Sequence, residues 1–223
     1  MRKCFLLLIL VFAISSCSVE YSDCDDNLDG VVDQTELNLC DTTYIVTQID
    51  TEENGKIAVA IDVPYDLRYG DSAPIVVVAS TWFVESYNNE ASGFHLDYNP
   101  VDVGAISVTN LWPGKYDKVT GIESEGVYDF GGPDSLASLR DTIKFAAGEI
   151  PDVNGKYLHE LVDVNVLYDN VGMFASSHAG VVATNVMAYY GEDLGSLKYF
   201  VGRENPTMAE MYALEIGHWD ERH

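Results

Sequence analysis

A serine set among small residues, where apolar strand-like sequence gives way to helix-like sequence, is the strongest chemical signal in this chain. In Gly172-Met-Phe-Ala-Ser-Ser-His-Ala-Gly180 the apolar run Val171 to Ala175 meets Ser177. A tight strand-to-helix turn there would push the serine hydroxyl out from the sheet edge, and small neighbours let the helix start close to the strand without a Cβ clash. Ser177 is therefore the candidate nucleophile. The pattern departs from G-x-S-x-G: Ala175 and Ala179 stand where glycines are usual, and the glycine follows one position later as Gly180. Ser176 is the weaker candidate, because centring the pattern on it puts the bulky Phe174 and His178 at the flanks. The bland alternative is a small-residue turn with no chemistry.

A second cluster lies near the start. Asp25-Asp-Asn27-Leu-Asp29-Gly30-Val31-Val32-Asp33-Gln-Thr-Glu36 fits the spacing D-x-[DN]-x-[DN]-G-x₅-E at every specified position. Asp25, Asn27 and Asp29 place oxygens on one side of a hard cation, and Gly30 permits the sharp turn. Val31 offers a backbone carbonyl, Asp33 acts through water, and Glu36 closes the shell with two oxygens. The segment resembles an EF-hand-type or dockerin-like loop and implies a bound Ca²⁺ of structural kind. Only one copy is present, which argues against a sensor. An acidic linker that never meets a metal is the competing view.

Arg2 and Lys3 precede the apolar run Phe5 to Ile14. The run is too short to span a bilayer and suits the h-region of an export signal. It closes on Ile14-Ser15-Ser16-Cys17, which resembles a bacterial lipobox. That resemblance implies cleavage after residue 16, a lipid on the Cys17 thioether, and a protein held at a membrane surface by acyl chains. An ordinary signal peptide cut nearby is the alternative. With Cys4 lost and Cys17 lipidated, Cys24 and Cys40 remain as the pair available for a disulfide flanking the acidic loop. The expected organisation is signal peptide 1–16, anchor and calcium loop 17–42, and one domain over 43–223.

That domain has a substantial core in prospect, since 47% of the sequence is hydrophobic. Thr43 to Asp50 and Lys56 to Val63 are β-rich runs joined through Asn54-Gly55, a hairpin signal. Ile75 to Ala79 and Ala105 to Leu111 are continuously apolar, as strands covered on both faces are. Leu136, Leu139, Ile143 and Ala147 recur at helical spacing over Asp134 to Ala147, with Asp134 as the expected N-cap. Val171 to Ala175, Ala179 to Tyr190 and Leu197 to Val201 then read as strand, helix and strand. Strands alternating with helices after an initial hairpin imply an α/β fold with a mostly parallel, doubly wound sheet.

From Thr43 onward the chain resembles the α/β-hydrolases, in the style of bacterial esterases, dienelactone-hydrolase-like and prolyl-oligopeptidase-like domains. The resemblance implies that Ser177 attacks an acyl carbonyl and that the backbone N–H of His178 supplies half of the oxyanion hole. The other donor falls to the loop after the third strand, Ser80-Thr81-Trp82-Phe83, through the backbone of Thr81 or Trp82. Beside Ser177 the His178 imidazole is poorly placed as a base and reads as a packing or pocket residue. Members of the superfamily supply an acid and then a histidine after the nucleophile, on loops behind later strands. Residues 178–223 leave no room for those last strands, and His218 is the substitute base on offer. The expectation is a fragment of a longer hydrolase, or a truncated one.

A net charge of −24 opposes nucleic-acid binding, because a polyanion is repelled. Anionic membranes are repelled too, which leaves lipid as the means of attachment. His95 and His159 lack a second ligand at zinc spacing, and Tyr128-Asp129-Phe-Gly131-Gly132-Pro133 lacks the ending of a phosphate loop. Two function classes follow. One is an anchored serine hydrolase acting on a small-molecule or peptide ester or amide; the other is a noncatalytic calcium-binding surface lipoprotein that retains a hydrolase fold.

Overall fold

The computed structural model of the chain describes residues 43–52, 54–79, 94 and 98–203. Strands β1 (Thr43–Thr51), β2 (Gly55–Val63), β3 (Ser72–Val78) and β4 (Ile106–Asn110) are followed by helix α1 (Pro133–Ala146). Strand β5 (Asn165–Ser176), helix α2 (Ser177–Tyr190) and strand β6 (Leu197–Arg203) complete the described elements. The strands form one six-stranded mixed sheet in the order β1-β2-β4-β3-β5-β6. β1, β2 and β4 are antiparallel neighbours, whereas β4, β3, β5 and β6 run parallel. The sheet is thus antiparallel at its β1 edge and parallel from β4 to β6, within an α/β fold.

Its opening hairpin differs in detail from the expectation. Gly55 is already paired with Thr51, so Gly55, at φ +76°, is the first residue of β2 rather than a turn residue. Asn54 is buried, and its side-chain amide donates to the Asp134 carbonyl at 2.8 Å. The turn is thereby tied to the start of α1.

Every residue of β3 from Ala73 to Val78 is buried, as continuous apolar sequence requires of a strand covered on both faces. Ile75 and Val77 enter the main core with Ile57, Val59, Ile61, Ile106 and Val108. Leu136, Leu139, Ile143 and Phe145 of α1 and Val182 and Val186 of α2 close that core from above, so both described helices pack on the same face. Val76 and Val78 face the other way with Ala105, and Phe94 covers Ala58, Ala60 and Leu111 on that side.

Helix α1 begins one residue earlier than the periodicity suggests, with Pro133 in its first turn, where the missing N–H costs nothing. Asp134 is not its cap. The N-cap is Gly132, which has no side chain to give, and the carboxylate of Asp129 takes over. One Asp129 oxygen accepts from Gly132 N at 3.1 Å and Ser135 N at 3.1 Å, and from the Ser135 hydroxyl; the other accepts from Asp134 N at 2.7 Å. A carboxylate satisfies the orphan donors of a first turn and complements the positive end of the helix dipole.

Candidate active site

Strand β5 occupies an interior place in the parallel part of the sheet, paired to β3 on one side and β6 on the other. From β3 the chain leads to β4, and from β5 it leads to β6 on the opposite side. Neighbouring strands that send their connections in opposite directions leave a crevice at their carboxyl ends, the usual ligand position in open α/β sheets. Ser177 stands at that end.

Backbone geometry singles it out. Ser176 is still extended, at φ −127° and ψ 157°, and Ser177 turns to φ +49°. Among the described residues Ser177 and Phe130 are the two non-glycine positions with positive φ. A side chain held in the left-handed region costs of order 1–2 kcal/mol, and such strain concentrates where a site needs it. Ser177 is also exposed, whereas the residues around it, Ala175, Ser176, His178 and Ala179, are buried. The alanines that replace the motif's glycines are wholly inaccessible to solvent, so their methyl groups fit in the core beneath the turn. Among the described residues no side chain accepts a hydrogen bond from the Ser177 hydroxyl.

A second small-residue requirement lies lower on the same strand. The Tyr199 ring of β6 lies over Gly172, in the space that any side chain at position 172 would need.

His178 is 3% exposed, and its Nε2 shares a 2.7 Å hydrogen bond with the Tyr128 hydroxyl. Burial pushes its pKa down from 6.5 to about 4, against a smaller upward pull from the Asp129 charge. The imidazole is neutral at physiological pH and engaged away from the serine. This agrees with its reading as a packing residue, and the same position leaves its backbone N–H directly after Ser177.

Tyr128 sits in an aromatic nest. Its ring lies 4.9 Å from Phe130 and 6.2 Å from Trp112 between centroids, with the Lys115 ammonium 5.4 Å above it. Trp112 of that nest and the adjoining Pro113 are buried. Gly131 packs so closely that a Cβ there would come within 3.1 Å of Val182 Cγ2 and 3.3 Å of His178 Cε1.

Thr81, Trp82 and His218 lie outside the described residues, as do Cys17, Cys24, Cys40 and the loop residues Asp25, Asn27, Asp29, Val31, Asp33 and Glu36. Ala79, the last described residue before Thr81 and Trp82, donates its N–H to the Phe174 carbonyl at 3.0 Å. Ala79 is thereby held beside the strand that ends at Ser176. Among the described residues there is no group of three metal-ligating side chains and no helix long and apolar enough to cross a membrane.

Sequence reasoning missed Tyr128 and Asp129 as parts of this region. The glycines at 131 and 132 marked a turn, but nothing local announced a bond between residues 128 and 178.

No protein-family model and no curated protein matches the chain. Among solved structures, esterases from Rhizomucor miehei match at 15% identity and TM-score 0.48, over 75% of this chain and 45% of theirs. An esterase from Pyrobaculum calidifontis matches at 15% identity and TM-score 0.44, over 71% of this chain and 43% of its own. Prolyl oligopeptidase B from Galerina marginata matches at 13% identity and TM-score 0.41, over 67% of this chain and 19% of that enzyme. The aligned part of the chain spans less than half the length of each of these structures.

Proposed function

We propose that this protein is an exported, lipid-anchored serine hydrolase that cleaves carboxylic esters or small amides through an acyl-enzyme. One observation carries the reading: an exposed serine held at φ +49° on the turn from an interior parallel strand into a helix. In this reaction Ser177 Oγ attacks the acyl carbonyl while its proton passes to a base. The tetrahedral oxyanion accepts a hydrogen bond from the His178 N–H and another from the backbone of Thr81 or Trp82. Protonation expels the alcohol or amine and leaves the acyl group on Oγ; water, deprotonated by the same base, then releases the acid and restores the serine. His218 is the base assigned from sequence. The −24 charge favours neutral or cationic substrates.

Cys17 carries the lipid in this proposal. Asp25, Asn27, Asp29, Val31, Asp33 and Glu36 would hold Ca²⁺ between Cys24 and Cys40, stiffening the tether without entering the chemistry. Chelation is accordingly expected to leave hydrolysis unchanged.

The test is fluorophosphonate labelling of the mature chain beside Ser177→Ala, read by intact mass. Label on the wild type and none on the variant supports the assignment. A folded wild type that takes up no label overturns it and leaves the calcium-binding lipoprotein with a retained hydrolase fold.

A further inference from the structure

We infer that Tyr128 is a positioning residue for the nucleophile turn, acting through His178 on the direction of the backbone N–H that follows Ser177. This rests on the serine-hydrolase reading and adds to it a residue from a different part of the chain.

The two strained non-glycine residues of the described chain belong to two loops that meet. Phe130, at φ +56°, follows Tyr128 by two residues, and Ser177, at φ +49°, precedes His178 by one. The 2.7 Å bond between the Tyr128 hydroxyl and His178 Nε2 is a polar link between them, and the two rings meet edge to face at 81°. Gly131 packs beside the Cε1 and Nε2 atoms of the same imidazole.

His178 is therefore held at its ring nitrogen and ring edge, and a held ring restrains the peptide that carries it. That peptide bears the proposed oxyanion donor. A donor helps only when it is already aimed where charge will develop, because reorientation during the reaction would consume the benefit. A residue in the left-handed region persists only where its surroundings over-determine it. The contacts around Tyr128 supply that determination from outside the elbow, at a sequence distance of 50 residues. Burial lowers the His178 pKa, so the ring meets Tyr128 as a neutral partner throughout the physiological range.

Tyr128→Phe removes the hydroxyl and keeps the ring packed against Phe130 and Trp112. For a p-nitrophenyl ester it is expected to lower kcat by about 10- to 100-fold with KM unchanged, and to slow fluorophosphonate labelling to match. His178→Ala should lose as much, and the double variant no more than either single one. His178→Gln, which sets a nitrogen near the Nε2 position, should recover most of the rate. Should Tyr128→Phe fail to fold, the Ala and Gln variants at position 178 decide the matter alone. Equal rates for wild type and Tyr128→Phe, or additive losses in the double variant, would overturn the positioning role while the hydrolase stands. A folded wild type that neither labels nor turns over would overturn both.

Discussion

The two helices that cover the main core begin in opposite ways. The first turn of α1 is closed by a carboxylate from its own approach loop, with Asp129 accepting from three backbone N–H groups. The first turn of α2 has no side-chain cap and starts on a serine in the left-handed region, followed by an imidazole that burial keeps neutral. One start is finished for stability. The other is held from the side, and its N-cap makes no side-chain cap bond among the described residues, which suits a turn whose donors are meant for a transient negative charge.

Four measurements would break or sharpen that contrast, from the largest effect downward. The pH response of stability comes first. His178 is neutral in the fold down to about pH 4, and a histidine in an unfolded chain takes its proton near 6.5. The unfolded state therefore binds more protons across that window. The stability that His178 contributes is whole above pH 6.5 and is lost as the pH falls toward 4, by on the order of 3 kcal/mol. Burial pushes the Asp62 carboxyl up to about 7, which contributes a slope of the opposite sign, so the His178 part is read in urea titrations at several pH values as the difference between wild type and His178→Gln; the same slope in both would mean the ring is not held neutral.

Asp129→Ala should cost about 2 kcal/mol at neutral pH, since a charged acceptor with several donors is lost from α1. A loss below about 0.5 kcal/mol in urea denaturation would erase the difference between the two helix starts. Gly131→Ala should follow at about 1–2 kcal/mol, because the residue has φ +89° and its new methyl group would crowd His178 and Val182. Thermal melts would register it as a lower Tm. Ser177→Gly should go the other way, raising stability by about 1 kcal/mol as the backbone strain is relieved, with fluorophosphonate labelling abolished. Destabilisation by that substitution would remove the strain argument.

What the sequence disclosed follows from the range of the forces involved. Strands β3 and β4 were legible because burial on both faces demands unbroken apolar runs, and α1 because Leu136, Leu139 and Ile143 repeat at the helical period. The turn at Ser177 was legible because a tight strand-to-helix turn imposes small neighbours within a few residues, and Ala175 and Ala179 are small and buried there. The cap of α1 was misassigned to Asp134, since a carboxylate three residues before the N-cap can fold back only through a glycine turn whose path the sequence does not state. The Tyr128–His178 bond left no trace at all: it joins segments brought together only after α1 and β5 have packed. Likewise the seat of the Tyr199 ring over Gly172 depends on β6 pairing beside β5, a fact about the sheet and not about either strand.

The loop from Tyr128 to Gly132 grips both helix starts within a few residues, through Asp129 on α1 and through Tyr128 and Gly131 on α2. Two helices clasped by one loop cannot fray independently at those ends. Native-state amide exchange should find the first turns of α1 and α2 opening together, with one common free energy, as a single cooperative unit with the loop as its hinge pin.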